Sequence, residues 1–205
     1  RHAEKAAEAG VDGIIAIAAG AGGHTGTFNP FALIAEIRSF YPGTLVMAGA
    51  ISNGAQIAAA RVAGADMAYL GTRFIAADES LASVAYKQMV SSARAADIVF
   101  TPNISGVPAN FLRQSIVAAG LDPDAIPPPG SSLDVTSEKL AWKVVWSAGH
   151  GVAAVNDVLV GESGGWIYAR ISGDGVARPE GVRNDGVIEA AKGRTLMAAG
   201  DIYGM

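Results

Sequence analysis

Apolar residues along this chain come in short blocks separated by longer, mixed stretches. The blocks "GIIAIA" (Gly13–Ala18), "TLVMAG" (Thr44–Gly49) and "DMAYLG" (Asp66–Gly71) are apolar at successive positions, not alternate ones. Side chains then emerge on both faces of an extended backbone, so these blocks read as short strands buried on both sides. "DIVFT" (Asp97–Thr101) is a fourth candidate strand. Between the blocks, apolar residues recur at helical spacing. The pattern predicts helices at about Arg1–Ala9, Pro30–Phe40, Ala55–Gly64, Glu79–Ala93 and Ala109–Ala119. Gly10 closes the first helix as a C-terminal cap. A chain that opens on a helix predicts residues upstream of Arg1. Short apolar strands alternating with helices are the pattern of βαβ units and a parallel sheet.

Two architectures fit that rhythm, a doubly wound open sheet and a (β/α)8 barrel. Glycine clusters follow three successive strands, at their C-terminal ends. In a barrel these ends form one ring that carries the active site. In an open sheet they line a crevice at the switch point. The chain divides into βα units over 1–120, a proline-rich loop and a glycine-ended helix over 121–159, and an unassigned tail over 160–205. The loop is "LDPDAIPPPGSSLD" (Leu121–Asp134) and the helix falls within Ser137–Asp157. The tail is rich in Gly, Arg and Asp and has no clear period.

Composition narrows the function classes. The chain has 205 residues, 50% hydrophobic and 17% charged, with a formal net charge of -4. There is no basic run and no aromatic–basic interleaving, so a nucleic-acid partner is not expected. Cysteine is absent, which removes thiolate nucleophiles, disulfides and Cys-ligated metals. No apolar run approaches the roughly 18 residues needed to span a bilayer. The chain is read as cytoplasmic, with no membrane partner.

Candidate chemistry lies in three loops: Gly22-Gly23-His24, "MAGAISNG" (Met47–Gly54) and "YLGTRF" (Tyr69–Phe74). Glycine at a strand end lets backbone N–H groups approach an anion. Gly49, Ala50, Gly71 and Thr72 could thus hold one phosphate between two adjacent loops, or be ordinary tight turns. His24 stands at the end of a strand where an imidazole can serve as a general base. A lone loop histidine is also often only hydrogen-bonded structure. His150 in "WSAGHG" poses the same choice with less support, and Arg73 reads as an anion contact or, better, a structural ion pair. The histidines have no metal-ligand spacing. No phosphate-binding GxxxxGK[ST] loop and no strand–GxGxxG–helix fingerprint is present.

Four segments together, "AGVDGIIAIAAGAGGHTG", "MAGAISNGAQIAAARVAGADMAYLGTRFIAADES", "SGVPANFLRQS" and "WSAGHG", resemble the nitronate monooxygenases, formerly 2-nitropropane dioxygenases. The resemblance runs from Arg1 to about Asp157. It implies an FMN-dependent (β/α)8 barrel, present mainly as its C-terminal half, that oxidises alkyl nitronates and nitroalkanes with O2. It makes His24 the catalytic base. It puts Gly22 and Gly23 near the flavin, Gly49, Ala50, Gly71 and Thr72 at its phosphate, and Ser147 and Gly149 beside it. The chain departs from the family at Gly49-Ala50, where Gly-Gly is usual. It departs again at Gly20-Ala21, where Glu-Ala is common, and at His150, where many members have Gln. FMN-dependent enoyl-ACP reductases and NAD(P)H:quinone reductases share the Gly-Gly-His and GTRF motifs, so a reductase is the alternative. A non-catalytic phosphate-ligand-binding fragment is a third reading. A half barrel would leave edge strands open and need a partner, or a homodimer, to cover them.

Overall fold

A computed structural model describes residues 1–128 and 144–155. The βα rhythm is present from the start. Helix α1 (His2–Glu8) leads to strand β1 (Gly13–Ile17), then helix α2 (Pro30–Arg38), strand β3 (Thr44–Ala48), helix α3 (Gly54–Val62) and strand β4 (Met67–Tyr69). The three strands form one parallel sheet in the order β1-β3-β4, with Ile17 opposite Ala48 and Ala48 opposite Tyr69. Ile14 and Ala16 of β1 and Leu45 and Met47 of β3 face outward, into a core shared with Ile34, Ile37, Ile57 and Ala60 of the helices.

The helices begin where their sequences say they should. Asn29 caps α2 by accepting from the Phe31 N–H, with Pro30 in the first turn. Asn53 and Gln56 form a reciprocal capping box at the start of α3, satisfying N–H groups that a helix cannot pair within itself. At the far ends of these helices Arg38 works as a clasp. Its guanidinium donates to the Gly64 carbonyl at 2.9 Å, the Gly43 carbonyl at 2.6 Å and Asp66 Oδ2 at 2.6 Å. Asp66 Oδ2 also accepts from the Leu45 N–H at 2.8 Å. This network lies at the N-terminal end of the sheet, the end that stabilises a barrel and does not carry its chemistry.

The second half of the described chain departs from expectation in four places. The helix expected over Glu79–Ala93 begins only at Val84, as α5 (Val84–Ser92), and a one-turn helix α4 (Thr72–Ile75) stands before it where the sequence predicts a loop. Ser83 caps α5 by accepting from the Tyr86 N–H, and Ser80 Oγ accepts from Ala82 N–H, which holds the segment before α5 out of the helix. The expected helix over Ala109–Ala119 opens instead as strand β6 (Ala109–Leu112) before helix α6 (Arg113–Ala118). All four residues of β6 are buried, so the apolar run serves a sheet and not one helical face. Strand β5 (Ile98–Thr101) exists but is antiparallel to β6, and belongs to a second sheet ordered β2-β6-β5 with the two-residue strand β2 (Gly23–His24). Of the expected Ser137–Asp157 helix, residues 144–155 are described: Ser147 bridges Phe111, and among these residues the helical part is a 3-10 turn at His150–Ala154. Residues 137–143 and 156–205 lie outside the described residues.

Candidate active site

Four loops meet at the C-terminal end of the parallel sheet, three of them at the Gly20 carbonyl. It accepts from the Ala50 N–H at 3.2 Å and from the His150 N–H at 2.9 Å. The first loop (18–26) is thereby joined to the turn after β3 and to the 147–151 segment. The turn after β4 joins through Thr72, whose Oγ1 accepts from the Gly149 N–H at 2.9 Å. From β6, Asn110 Nδ2 donates to the Ala21 carbonyl at 2.7 Å.

The glycines have a local reason. A Cβ on Gly149 would overlap the Gly20 carbonyl oxygen and come within 2.7 Å of the Gly22 nitrogen. A Cβ on Gly22 would stand 2.9 Å from the Gly149 nitrogen. The two backbones are in direct apposition, which only glycine permits. Gly49, at φ 123°, lies against the Ala18 and Ala19 carbonyls. Gly71 differs, since nothing lies within 4 Å of where its Cβ would be.

His24 is held by sheet pairing. It faces Ala109 across the β2–β6 ladder, and its predecessor Gly23, at φ 70°, faces Asn110. Thr25 closes the loop behind it, donating through Oγ1 to the Ala18 carbonyl at 2.8 Å. The His24 side chain is exposed, on a backbone tied at both sides. His150 is also exposed and begins the 3-10 turn. Its Nδ1 would lie 2.9 Å from a Cβ on Gly20. The family departures at positions 20 and 150 are thus neighbours: the missing side chain at Gly20 makes room for the His150 imidazole. Arg73 donates to the Ala154 carbonyl at 3.3 Å, which ties it to the 150–154 turn. His2 lies on α1.

Gly22, Gly23, His24, Gly49, Ala50, Thr72, Ser147 and Gly149 lie in this cluster or in the strands that support it, and Gly71 opens the turn that carries Thr72. The Ala50 N–H is directed to the Gly20 carbonyl. Thr72 Oγ1 uses a lone pair for Gly149, leaving its hydrogen as a donor. Ser52 Oγ is buried and unpaired among the described residues. Sequence reasoning passed over Asn110, Ser52 and Tyr86. The Tyr86 hydroxyl donates to the Ser147 carbonyl, and its ring stacks on Trp146 at 4.8 Å. Asn110 carried a readable signal, a polar residue inside the apolar run "ANFL". Among the described residues, no three His, Asp or Glu side chains are placed to hold a metal ion, and no helix is long and apolar enough to cross a membrane.

Comparison with known proteins decides the family. A nitronate monooxygenase profile matches residues 1–137. The chain belongs to the nitronate monooxygenase family. The nitronate monooxygenase of Paraburkholderia phytofirmans is 36% identical over 132 residues, covering 60% of this chain and 36% of that protein. Among solved structures, the nitroalkane oxidase of Streptomyces ansochromogenes is 29% identical with a TM-score of 0.63, covering 77% of this chain and 50% of that one. FabK from Thermotoga maritima is 25% identical with a TM-score of 0.59, covering 77% and 53%. The chain therefore spans about half or less of the length of the nitronate monooxygenase family relatives and neighbours it matches. Its α/β architecture is that of a (β/α)8 barrel, represented here by about half.

Proposed function

We propose that this site serves the FMN-dependent oxidation of alkyl nitronates and nitroalkanes by O2 to a carbonyl compound and nitrite. The observation that carries the reading is His24: an exposed imidazole on a two-residue strand, at the sheet end where the glycine turns converge. Family membership supports a flavin oxidoreductase, and the residues present suit a phosphorylated flavin. Ser52 Oγ is a buried hydroxyl lacking an acceptor, and Thr72 has a hydroxyl hydrogen to donate. The space beside Gly71 is open. In this reading the 49–52 and 71–72 turns, through Gly49, Ala50, Gly71 and Thr72, frame the phosphate. Gly22, Gly23, Ser147 and Gly149 line the ring side.

Bound flavin supplies the two-electron chemistry and its reoxidation by O2. The chain supplies position and proton transfer. An imidazole nitrogen of His24 takes the proton from the α carbon of a neutral nitroalkane, or donates a hydrogen bond to an anionic nitronate that needs no deprotonation. Positioned general bases contribute roughly 10²–10⁴-fold.

The test is to purify the full-length protein, record its visible spectrum, and assay nitrite release from nitroethane and propionate 3-nitronate. A yellow protein releasing nitrite is expected, and His24→Ala should lower turnover of nitroethane by about 10²-fold or more while keeping the flavin. A flavoprotein that releases no nitrite but is bleached rapidly by NADH or NADPH would make it a reductase. A protein that binds no flavin would make the site non-catalytic.

A further inference from the structure

Asn110 grips the His24 loop at two points. We infer that Asn110 is a positioning residue for the His24 imidazole. The inference rests on reading His24 as the base.

The segment between Ala21 and His24 consists of Gly22 and Gly23, the residues with the greatest backbone freedom. Left to itself, such a segment sets no direction for the histidine that follows. Pairing with Ala109 holds His24 from one side, and Asn110 holds the segment that leads into it. Its backbone pairs with Gly23 in the β2–β6 ladder. Its side-chain Nδ2 donates to the Ala21 carbonyl at 2.7 Å. The two grips bracket Gly22 and fix the peptide from which His24 departs. The amide orientation is set by this contact, because the opposite one would turn a carbonyl oxygen toward the Ala21 carbonyl.

The rest of the amide argues that stability is not the reason for it. Asn110 is 1% exposed, and its Oδ1 is buried with no hydrogen-bond partner among the described residues. Its strand neighbours Ala109, Phe111 and Leu112 are apolar and fully buried. A leucine of similar shape would suit that slot without an orphaned acceptor. What the amide provides that leucine cannot is the donor to the Ala21 carbonyl.

Asn110→Leu in the full-length flavin-loaded protein tests this, with Asn110→Ala as a second variant and melting curves to confirm that each folds. Misplacing a catalytic group by about 1 Å costs roughly 10²-fold, so kcat for nitrite release should fall by about that factor. The flavin should be retained and KM should stay within about threefold. In a His24→Ala background the same substitution should change the rate by less than about twofold, because the two residues act as one unit. Separately, in histidine-labelled protein the His24 imidazole NMR signal, assigned by its loss in His24→Ala, should shift or broaden while the His2 signal does not. Unchanged kcat with an unchanged His24 signal overturns the inference, as does an equal loss in both backgrounds. If His24→Ala itself keeps full nitrite release, the base assignment fails. The NMR signal then still decides whether Asn110 places the imidazole.

Discussion

Ala50 sits at φ 56°, in the left-handed region, where the family usually has glycine. An L residue there costs on the order of 1–2 kcal/mol, offset in part by the extra unfolded-state entropy of glycine. Ala50→Gly should therefore stabilise the chain by about 0.5–1 kcal/mol, read as a higher urea midpoint with an unchanged slope. Gly149→Ala should do the opposite. Its methyl would drive apart the Gly20 and Gly22 backbones, and overpacking of this kind costs about 1–3 kcal/mol. In the proposed flavoprotein, Gly149→Ala should also lower flavin occupancy, measured as the ratio of visible to protein absorbance. At this scale the glycines of "AAGAGGHTG" were legible as places of close approach. The partner was not, because Gly149 is remote in sequence and no local pattern names it.

At the scale of elements, β1, β3 and β4 were legible as uninterrupted apolar blocks, and α2 and α3 were legible because a capping residue opens each. Asn53 shows how local that signal is. Asn53→Ala removes one half of the α3 capping box and should cost about 1 kcal/mol in a denaturation experiment. Strand β6 was misread for a physical reason. A four-residue apolar run running straight into a helix has no periodicity of its own, and only burial on both faces separates it from a helical turn. Helix α6 is held at its start by the Arg113–Asp124 pair, with a bond at 2.8 Å that pushes the arginine pKa up and the aspartate pKa down. A carboxylate lowered on folding stabilises above its unfolded range and loses that contribution as pH falls through its lowered value. Melting curves of Asp124→Asn should therefore differ from the parent slightly at neutral pH and converge with it in acid. The pair is solvent-exposed, which keeps the difference small.

For the whole molecule, the unbalanced feature is β1. It pairs only with β3 among the described residues. Its Ile15 and Ile17 are 37% and 50% exposed on the face turned away from the helices. An apolar strand with a free edge is a template for pairing with another chain. Residues 1–205 produced on their own, with no further strand to pair β1, should therefore self-associate, and sedimentation should show mass rising with concentration. Ile17→Lys should lower that association without lowering the melting temperature, because charge on an edge is how sheets discourage pairing. A sedimentation profile that stays monomeric at high concentration would refute this. The barrel itself was the least legible level. Residue patterns fitted an open sheet equally well, and it was the likeness to whole proteins that decided between them.

The meeting of three chain segments at one carbonyl has a consequence for biogenesis. Gly20 is made 130 residues before His150, yet both N–H donors to the Gly20 oxygen must be present before the site takes its shape. Contacts between such distant points close late and slowly. A nascent chain would carry a finished first sheet and an unfinished site, so loading of any cofactor should wait until the segment around His150 has left the ribosome. Flavin capture would then report completed synthesis, and ribosome-bound chains stalled before that segment should remain colourless.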